Sequence, residues 1–292
     1  MSGAVKKPEW LKVRYNADEV REVAGLMNAL GLHTVCRSAN CPNLPVCYAK
    51  RTATFMILGD RCTRSCRFCN IDHASAADLR APDPEEPRKI AEAVRDLGLR
   101  HAVVTCVTRD DLPDGGASEF AAVIREIRAM CPGVTVEVLI SDFRGDGRAL
   151  DTVMREKPDV LNHNIETVPS LYAAVRPGAE FQRSLDVLRR AKAYGTSYVK
   201  TGIMLGLGEG EEEIADAFRA VAETGCDILT VSQYLQPSPA HAPLCRYVTP
   251  EEFGEYKKLA LSMGIRYVVS APLVRSSYLA ADALDALKEG QA

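Results

Sequence analysis

At 292 residues, with 47% hydrophobic and 26% charged side chains, the chain has the composition of a globular protein with a large buried core. A formal charge of −3 gives no basic field for nucleic acid, and no run of about eighteen apolar residues offers a membrane span. The start, MSGAVKKPEWLKVRY, has no secretory core, and Glu9, Asp18 and Glu19 do not suit a transit peptide, so a bacterial-type cytoplasmic location, or a mature form already trimmed, is expected, a reducing setting in which cysteines read as metal or catalytic ligands rather than disulfides; six of the ten sit in two triplets.

In chain order, DEVREVAGLMNALG has apolar positions at helical spacing, and Gly31 can end that helix. Cys36, Cys41 and Cys47 follow as C-x4-C-x5-C, interrupted by Pro42 and Pro45, which predicts a wrapping loop rather than a helix or strand. Zinc would prefer tighter cysteine pairs closed by four ligands, so this spacing fits a zinc site poorly. From Thr54 onward, β-branched runs at 54–58, 101–107, 135–140, 160–165, 198–205 and 228–233 alternate with amphipathic stretches of ten to fifteen residues. Six β/α units in succession predict a parallel sheet with right-handed crossovers, curled into a barrel that is not fully closed. A seventh run, RYVVSA, precedes RSSY at 275–278, and the tail beyond it reads as a frayed helix without a role. Asp83 before Pro84 looks like one helix start, and Pro250 with Glu251 and Glu252 like another.

The polar motifs fall at the carboxyl ends of the expected strands, where barrel enzymes gather their chemistry. Cys62, Cys66 and Cys69 follow the first strand as C-x3-C-x2-C, able to hold three irons of a four-iron cluster and leave the fourth open. The glycines of TRDDLPDGGA could let backbone amides approach a ligand, or simply make a tight turn. In NHNIET, alternation points Asn162, Asn164 and Glu166 inward together and sends His163 to the helix layer as a structural histidine. Glu137 lies inside an apolar strand and needs a partner, for which a ribose hydroxyl or an arginine would serve. Arg176 in VRPG carries a fork suited to a carboxylate. Cys106 and Cys226, in apolar runs, read as small buried hydrophobes, and no metal is assigned to them or to Cys131 and Cys245.

The C-x3-C-x2-C run with Phe68 before its last cysteine resembles the radical S-adenosylmethionine (SAM) signature. Together with the first triplet, TFMILGDRCTRSCRFC, TRDDLPDGGA, NHNIET, VRPGAEFQRSL, KTGIMLGLGE and RSSY, it resembles the lipoyl synthase family from about Trp10 to Tyr278. The resemblance implies an α/β fold, a partial (β/α)6 TIM-like barrel over residues 52–264, flanked by an N-terminal extension (1–51) and a C-terminal one (265–292). It implies two 4Fe-4S clusters: a SAM-binding one on Cys62, Cys66 and Cys69, and an auxiliary one on Cys36, Cys41, Cys47 and a serine, Ser277 favoured over Ser276. SAM contacts are expected from Phe68, Glu137, Asn164 and Arg176, with the end of the GLGEGEEE strand bordering the adenine. The activity implied is that of a sulfurtransferase inserting two sulfurs, drawn from the auxiliary cluster, at C6 and C8 of a protein-bound octanoyl-lysine. Expected partners are octanoylated lipoyl carriers (H protein, dehydrogenase E2 subunits) and an electron donor such as ferredoxin or flavodoxin, with no nucleic acid and no membrane. Another sulfur-inserting radical SAM enzyme, or a ferredoxin-like carrier, are the alternatives; the first triplet argues against the former and the long barrel against the latter.

Overall fold

The computed structural model describes residues 7–12, 17–49, 53–278 and 280–290. Eight strands lie side by side in the order in which they occur: β1 (His33–Thr34), β2 (Thr54–Ile57), β3 (His101–Cys106), β4 (Thr135–Leu139), β5 (Val160–Asn162), β6 (Tyr198–Leu205), β7 (Ile228–Gln233) and β8 (Tyr267–Ser270). From β2 to β8 every pairing is parallel, and β1 adds an antiparallel edge on β2, His33 opposite Met56. The crossovers run through α1 (Glu86–Leu97), α2 (Ala117–Met130), α3 (Gly147–Arg155), α4 (Phe181–Ala193), α5 (Glu211–Ala222) and α6 (Pro250–Ser262). The six expected β/α units are therefore present, and the seventh run is hydrogen-bonded into the same sheet.

The outer core forms where one strand face meets the helices. Phe55, Ile57, Val104, Val138, Leu161, Val199, Leu229 and Val231 pack in one cluster with Ile90, Val94, Phe120, Ile124, Leu150, Leu188, Ile214, Phe218 and Phe253. Burying such a side chain is worth roughly 1.5–3 kcal/mol, which is why β-branched runs mark the strands so clearly in the sequence.

Three expectations are corrected. The tail is not frayed: α7 (Ala280–Lys288) buries Ala283, Leu284 and Leu287 against Val160 and Ile228, with Tyr198 and Tyr267 beside them. These strand residues sit at the amino ends of β5 to β8, so α7 plugs the base of the barrel. The first cysteine segment is partly helical, with Cys36 in a turn at Val35–Ser38 and Cys47 in a helix at Leu44–Ala49. Pro45 is tolerated because a first helical turn asks no hydrogen bond of its nitrogen. Asp83 does not cap α1, which begins at Glu86 with Pro87 in its first turn; Asp83 accepts instead from the Glu85 amide at 3.0 Å and from Lys89 at 2.7 Å. The Pro250 start holds, with Thr249 and Glu252 capping reciprocally.

Candidate active site

The second cysteine segment leaves β2 through Leu58, whose φ of 71° is left-handed, a costly conformation for a bulky residue. Neighbours hold it there: its amide donates to Glu86 Oε2 (2.8 Å) and its carbonyl accepts from Arg109 Nη1 (3.2 Å). Its side chain lies where a Cβ on Gly116 would stand, 2.2 Å from Leu58 Cδ1, and Gly115 faces Phe143 in the same way at 3.0 Å. The paired glycines of TRDDLPDGG thus admit neighbouring side chains at the start of α2.

The loop then folds over the carboxyl ends of the strands. Thr63 N donates to Thr108 O (2.9 Å), Arg67 N to Val175 O (2.8 Å) and Ala242 N to Arg67 O (2.7 Å), while His241 Nε2 meets Cys69 O at 3.1 Å. Cys62 Sγ accepts backbone amides from Arg64 (3.4 Å) and Thr108 (3.3 Å). Burial pushes the Cys66 thiol up to about 11, with Arg176 opposing and Cys62 and Glu166 adding to the rise; burial likewise carries Cys69 up to about 12. Iron must therefore displace these protons on binding. Three thiols on one short loop, with amide donors already aimed at Cys62 sulfur, fit the ligand set of an open four-iron cluster.

Arg64, between the first two of these cysteines, has no counterpart among the sequence-derived candidates. Its guanidinium takes Asp110 bidentately, Nε to Oδ2 at 2.7 Å and Nη2 to Oδ1 at 2.9 Å, and donates to Asp142 Oδ1 at 2.6 Å. Burial opposes the charge on Asp142, but Arg64 holds its carboxyl well below the usual range. Ion pairs spanning 46 and 78 residues leave no local pattern to find.

Side-chain amides join the remaining segments to this loop. Asn70 Nδ2 donates to Ser38 O (2.9 Å), joining the two cysteine segments, and Asn43 Nδ2 donates to Leu273 O (2.6 Å), joining the first of them to the approach to RSSY. Burial pushes the Cys36 thiol up, with the Thr54 amide countering and Cys41 adding to the rise. Arg275 lies close enough to Cys41 for their charges to interact. Ser276 Oγ accepts from Asn164 Nδ2 at 2.8 Å inside the barrel, above Gly202, where a Cβ would come within 2.6 Å of Thr230 Oγ1, 2.9 Å of Asn164 Oδ1 and 3.3 Å of Ser276 Oγ. Asn164 also donates to Glu166 Oε1 (3.0 Å), and its own buried Oδ1 is unpartnered, an acceptor in want of a donor. Arg176 is buried beside Cys66 and Glu166 and bonds through Nη1 to Asn164 O (2.9 Å), Tyr172 Oη (3.2 Å) and Ser184 Oγ (3.2 Å). Phe68 packs against Val175, Leu207, Tyr234 and Ala242. These groups fit an amino-acid ligand: a buried cation for its carboxylate and an orphan acceptor for a donor.

His163 faces α4, as alternation predicts, with Nδ1 on Ile140 O (3.0 Å) and Nε2 on Ser184 Oγ (3.1 Å); burial, reinforced by Arg176, draws it down to about 4. Glu137 lies deeper, fully buried, and its partner is Lys200, with Nζ at 3.0 and 3.1 Å from the two carboxylate oxygens. Asn162 Nδ2 adds a bond to Glu137 at 3.0 Å, and His101 Nε2 stands 3.6 Å away. The carboxylate is thus balanced without a ligand, by a lysine the strand pattern YVKTGIML conceals. Asn162, Asn164 and Glu166 do face one interior. In GLGEGEEE, Glu209 accepts the amides of Gly206 (2.5 Å) and Leu207 (2.9 Å), folding the turn on itself. Cys226 is buried, whereas Cys106 is half-buried near Cys62, and Cys245 is exposed. Among the described residues no three His, Cys, Asp or Glu side chains converge on a single-ion site. In a cubane each thiolate takes a different iron, so its ligands need not converge in that way. No described helix is long and apolar enough to cross a membrane.

The model of the Radical SAM superfamily matches residues 56–221. A curated relative from Chlorobaculum parvum, named lipoyl synthase, is 54% identical over 278 residues, covering 95% of this chain and 94% of its own. Another so named, from Caldanaerobacter subterraneus subsp. tengcongensis, is 52% identical over 275 residues, covering 94% and 95%. A third, from Rubrobacter xylanophilus, is 54% identical over 286 residues, covering 97% and 88%. Among solved structures, methylornithine synthase matches with a TM-score of 0.53 at 16% identity, covering 89% of this chain and 87% of that one. The hydrogenase maturase HydG matches with a TM-score of 0.59 at 16% identity, covering 92% and 66%. These two likenesses concern the fold alone.

Proposed function

This chain belongs to the lipoyl synthase family of radical SAM enzymes, and from that premise we propose a division of labour among its residues. It is a sulfurtransferase that uses SAM and 4Fe-4S clusters and acts on a lipoyl carrier protein. Cys62, Cys66 and Cys69 hold the SAM-binding cluster. Cys36, Cys41, Cys47 and Ser277 hold the auxiliary cluster, the source of sulfur. When bound, these groups supply a carbon radical able to take hydrogen from the unactivated C6 and C8 of an octanoyl chain, and the sulfur that replaces it.

The chain's own residues bind and orient. Arg176 receives the SAM carboxylate, with Asn164 offering its free Oδ1 to a SAM donor and Phe68 bounding the site. Glu137, neutralised by Lys200, serves the barrel rather than the cofactor. Ser276, engaged by Asn164, fixes the segment that presents Ser277. Octanoylated H protein and dehydrogenase E2 domains are the carriers, and ferredoxin or flavodoxin the electron donor. The barrel is residues 52–264, with 1–51 as the extension that carries the auxiliary-cluster cysteines and 265–292 as the extension that carries the serine motif.

The observation that supports this most is the stitching of three distant segments at one mouth, by Asn70 to Ser38, Asn43 to Leu273 and Asn164 to Ser276. Anaerobic incubation with SAM, a reductant and an octanoylated carrier peptide should add two sulfurs to the peptide by mass. Cys62→Ala should abolish 5′-deoxyadenosine formation, whereas Cys36→Ala should retain part of it and lose the product. Full product formation by Cys36→Ala or by Ser277→Ala would overturn the auxiliary assignment.

A further inference from the structure

Arg64 is an unusual residue to find between two iron ligands: its side chain is 6% exposed and turned away from any solvent-facing role. Three consecutive residues of the cysteine loop are fastened to the segment after β3. Cys62 Sγ accepts the Thr108 amide (3.3 Å), Thr63 Oγ1 accepts the Asp110 amide (3.0 Å), and Arg64 grips the Asp110 carboxylate. The same guanidinium reaches the segment after β4 through Asp142, whose side chain is wholly buried. Asp142 is fixed in turn by the Arg144 amide (3.0 Å) and by Arg183 Nη1 (3.3 Å) from α4. Among the buried and half-buried groups Arg64 and Arg183 thus face Asp110 and Asp142 in a balanced set of charges, while Glu180, the further partner of Arg183, is 65% exposed and screened by solvent, and the Arg64 charge is felt at Cys66.

We propose that Arg64, with Asp110 and Asp142, is a positioning device for the radical-generating cluster: it pins the cysteine loop to the barrel and keeps the field at its thiolates neutral. The inference rests on the assignment of a cluster to Cys62, Cys66 and Cys69. A fork is needed because only a guanidinium can satisfy one carboxylate bidentately and still reach a second. Neutrality matters because the potential of an iron–sulfur cluster follows nearby net charge and the hydrogen bonds to its sulfurs. A reduced cluster carries one more negative charge than an oxidised one. Losing the Arg64 charge leaves two carboxylates that disfavour reduction, whereas losing the Asp142 charge leaves an excess of cation that favours it.

The test is a redox titration of the reconstituted holoenzyme, following the electron paramagnetic signal of the reduced cluster with SAM present, alongside iron content and the KM for SAM. Arg64→Gln should lower the reduced-to-oxidised ratio at a fixed potential, and Asp142→Asn should raise it. Each change should be about tenfold for a nearby unit charge, which for a one-electron couple is a displacement of about 59 mV. The double variant R64Q/D142N should return close to the parent. Arg64→Lys keeps the charge without the fork, so its potential should stay near that of the parent while its KM for SAM rises several-fold. Should R64Q lose iron, D142N and Asp110→Asn, both nearly isosteric, carry the same test. Shifts of one sign in R64Q and D142N, or none in either, would overturn the proposal. Lack of any SAM-responsive signal in the parent would instead overturn the cluster assignment, and the positioning role with it.

Discussion

Removing the positive end of the Glu137–Lys200 pair is the sharpest probe of the barrel interior. Lys200→Met fills nearly the same volume but leaves a carboxylate with 1% side-chain exposure facing only Asn162 and His101. At the observed 3.0 Å, two unit charges attract by about 5 kcal/mol at an effective dielectric constant of about 20. Desolvation offsets part of this, and breaking a buried pair from one side costs about 3–5 kcal/mol. The loss should be read as a fall in urea midpoint, followed by circular dichroism at neutral pH. E137Q/K200M removes the stranded charge while keeping an acceptor for Asn162 Nδ2, so it should regain most of that loss. The sign with pH is also set. Burial opposes the Glu137 charge but Lys200 holds its carboxyl below the ordinary range, so the pair's contribution is present above that range and disappears only as pH falls through the depressed folded value. In K200M the loss should therefore already be complete at neutral pH. A double variant as unstable as the sum of the single ones would refute the pairing argument. A KM for SAM raised in E137Q/K200M while stability recovers would refute the scaffold role and return Glu137 to the cofactor.

Glu86 gives the opposite pH dependence. Burial, opposed by the Leu58 amide and aided by Glu119 and Asp83, pushes its carboxyl up to about 7 from 4.5, so the folded state keeps a proton that the unfolded state has lost. Stability should fall by about 3 kcal/mol as pH rises between these values, and Glu86→Gln should flatten that slope in urea midpoints taken at pH 5 and pH 8; equal slopes would count against it. Gly202→Ala puts a methyl group 2.6 Å from Thr230 Oγ1 and 2.9 Å from Asn164 Oδ1, so product formation should fall more than 5′-deoxyadenosine formation; an unchanged ratio of the two would show that the Asn164–Ser276 contact is immaterial. Leu284→Ala in α7 should cost about 2–5 kcal/mol by urea midpoint, as for other buried leucines, and a loss below about 1 kcal/mol would mean that α7 does not plug the barrel.

The strands were legible because a parallel sheet buried on both faces writes itself as β-branched runs, and because turn residues separate them. The apolar pattern predicts a strand over 160–165, but only Val160–Asn162 pairs as one, since Asn164 and Glu166 turn into the interior, with Glu166 reaching β6 by a single bridge. The cysteine triplets were legible from spacing. What holds them was not, since Arg64, Lys200, Asn43 and Asn70 are each one polar residue in an ordinary setting, and their partners lie 32 to 230 residues away. The helix at 280–288 did carry a signal, in the spacing of Ala283, Leu284 and Leu287, but alanine-rich ends without an obvious partner read as fraying. The left-handed Leu58 had no signal at all, because its conformation is imposed by Glu86 and Arg109 from outside.

The serine segment is fastened on both sides, by β8 before it and by α7 after it, and α7 grips the base of strands made earlier. This sets an order on biosynthesis. The first cysteine triplet is made some 230 residues before the segment it is stitched to through Asn43 and Leu273. The second triplet needs only Asp110 and Asp142, which follow Arg64 by 46 and 78 residues. The two halves of the mouth therefore mature at different times: the Cys62–Cys69 loop can take its place once Asp110 and Asp142 have been made, whereas the Cys36–Cys47 side waits for Leu273.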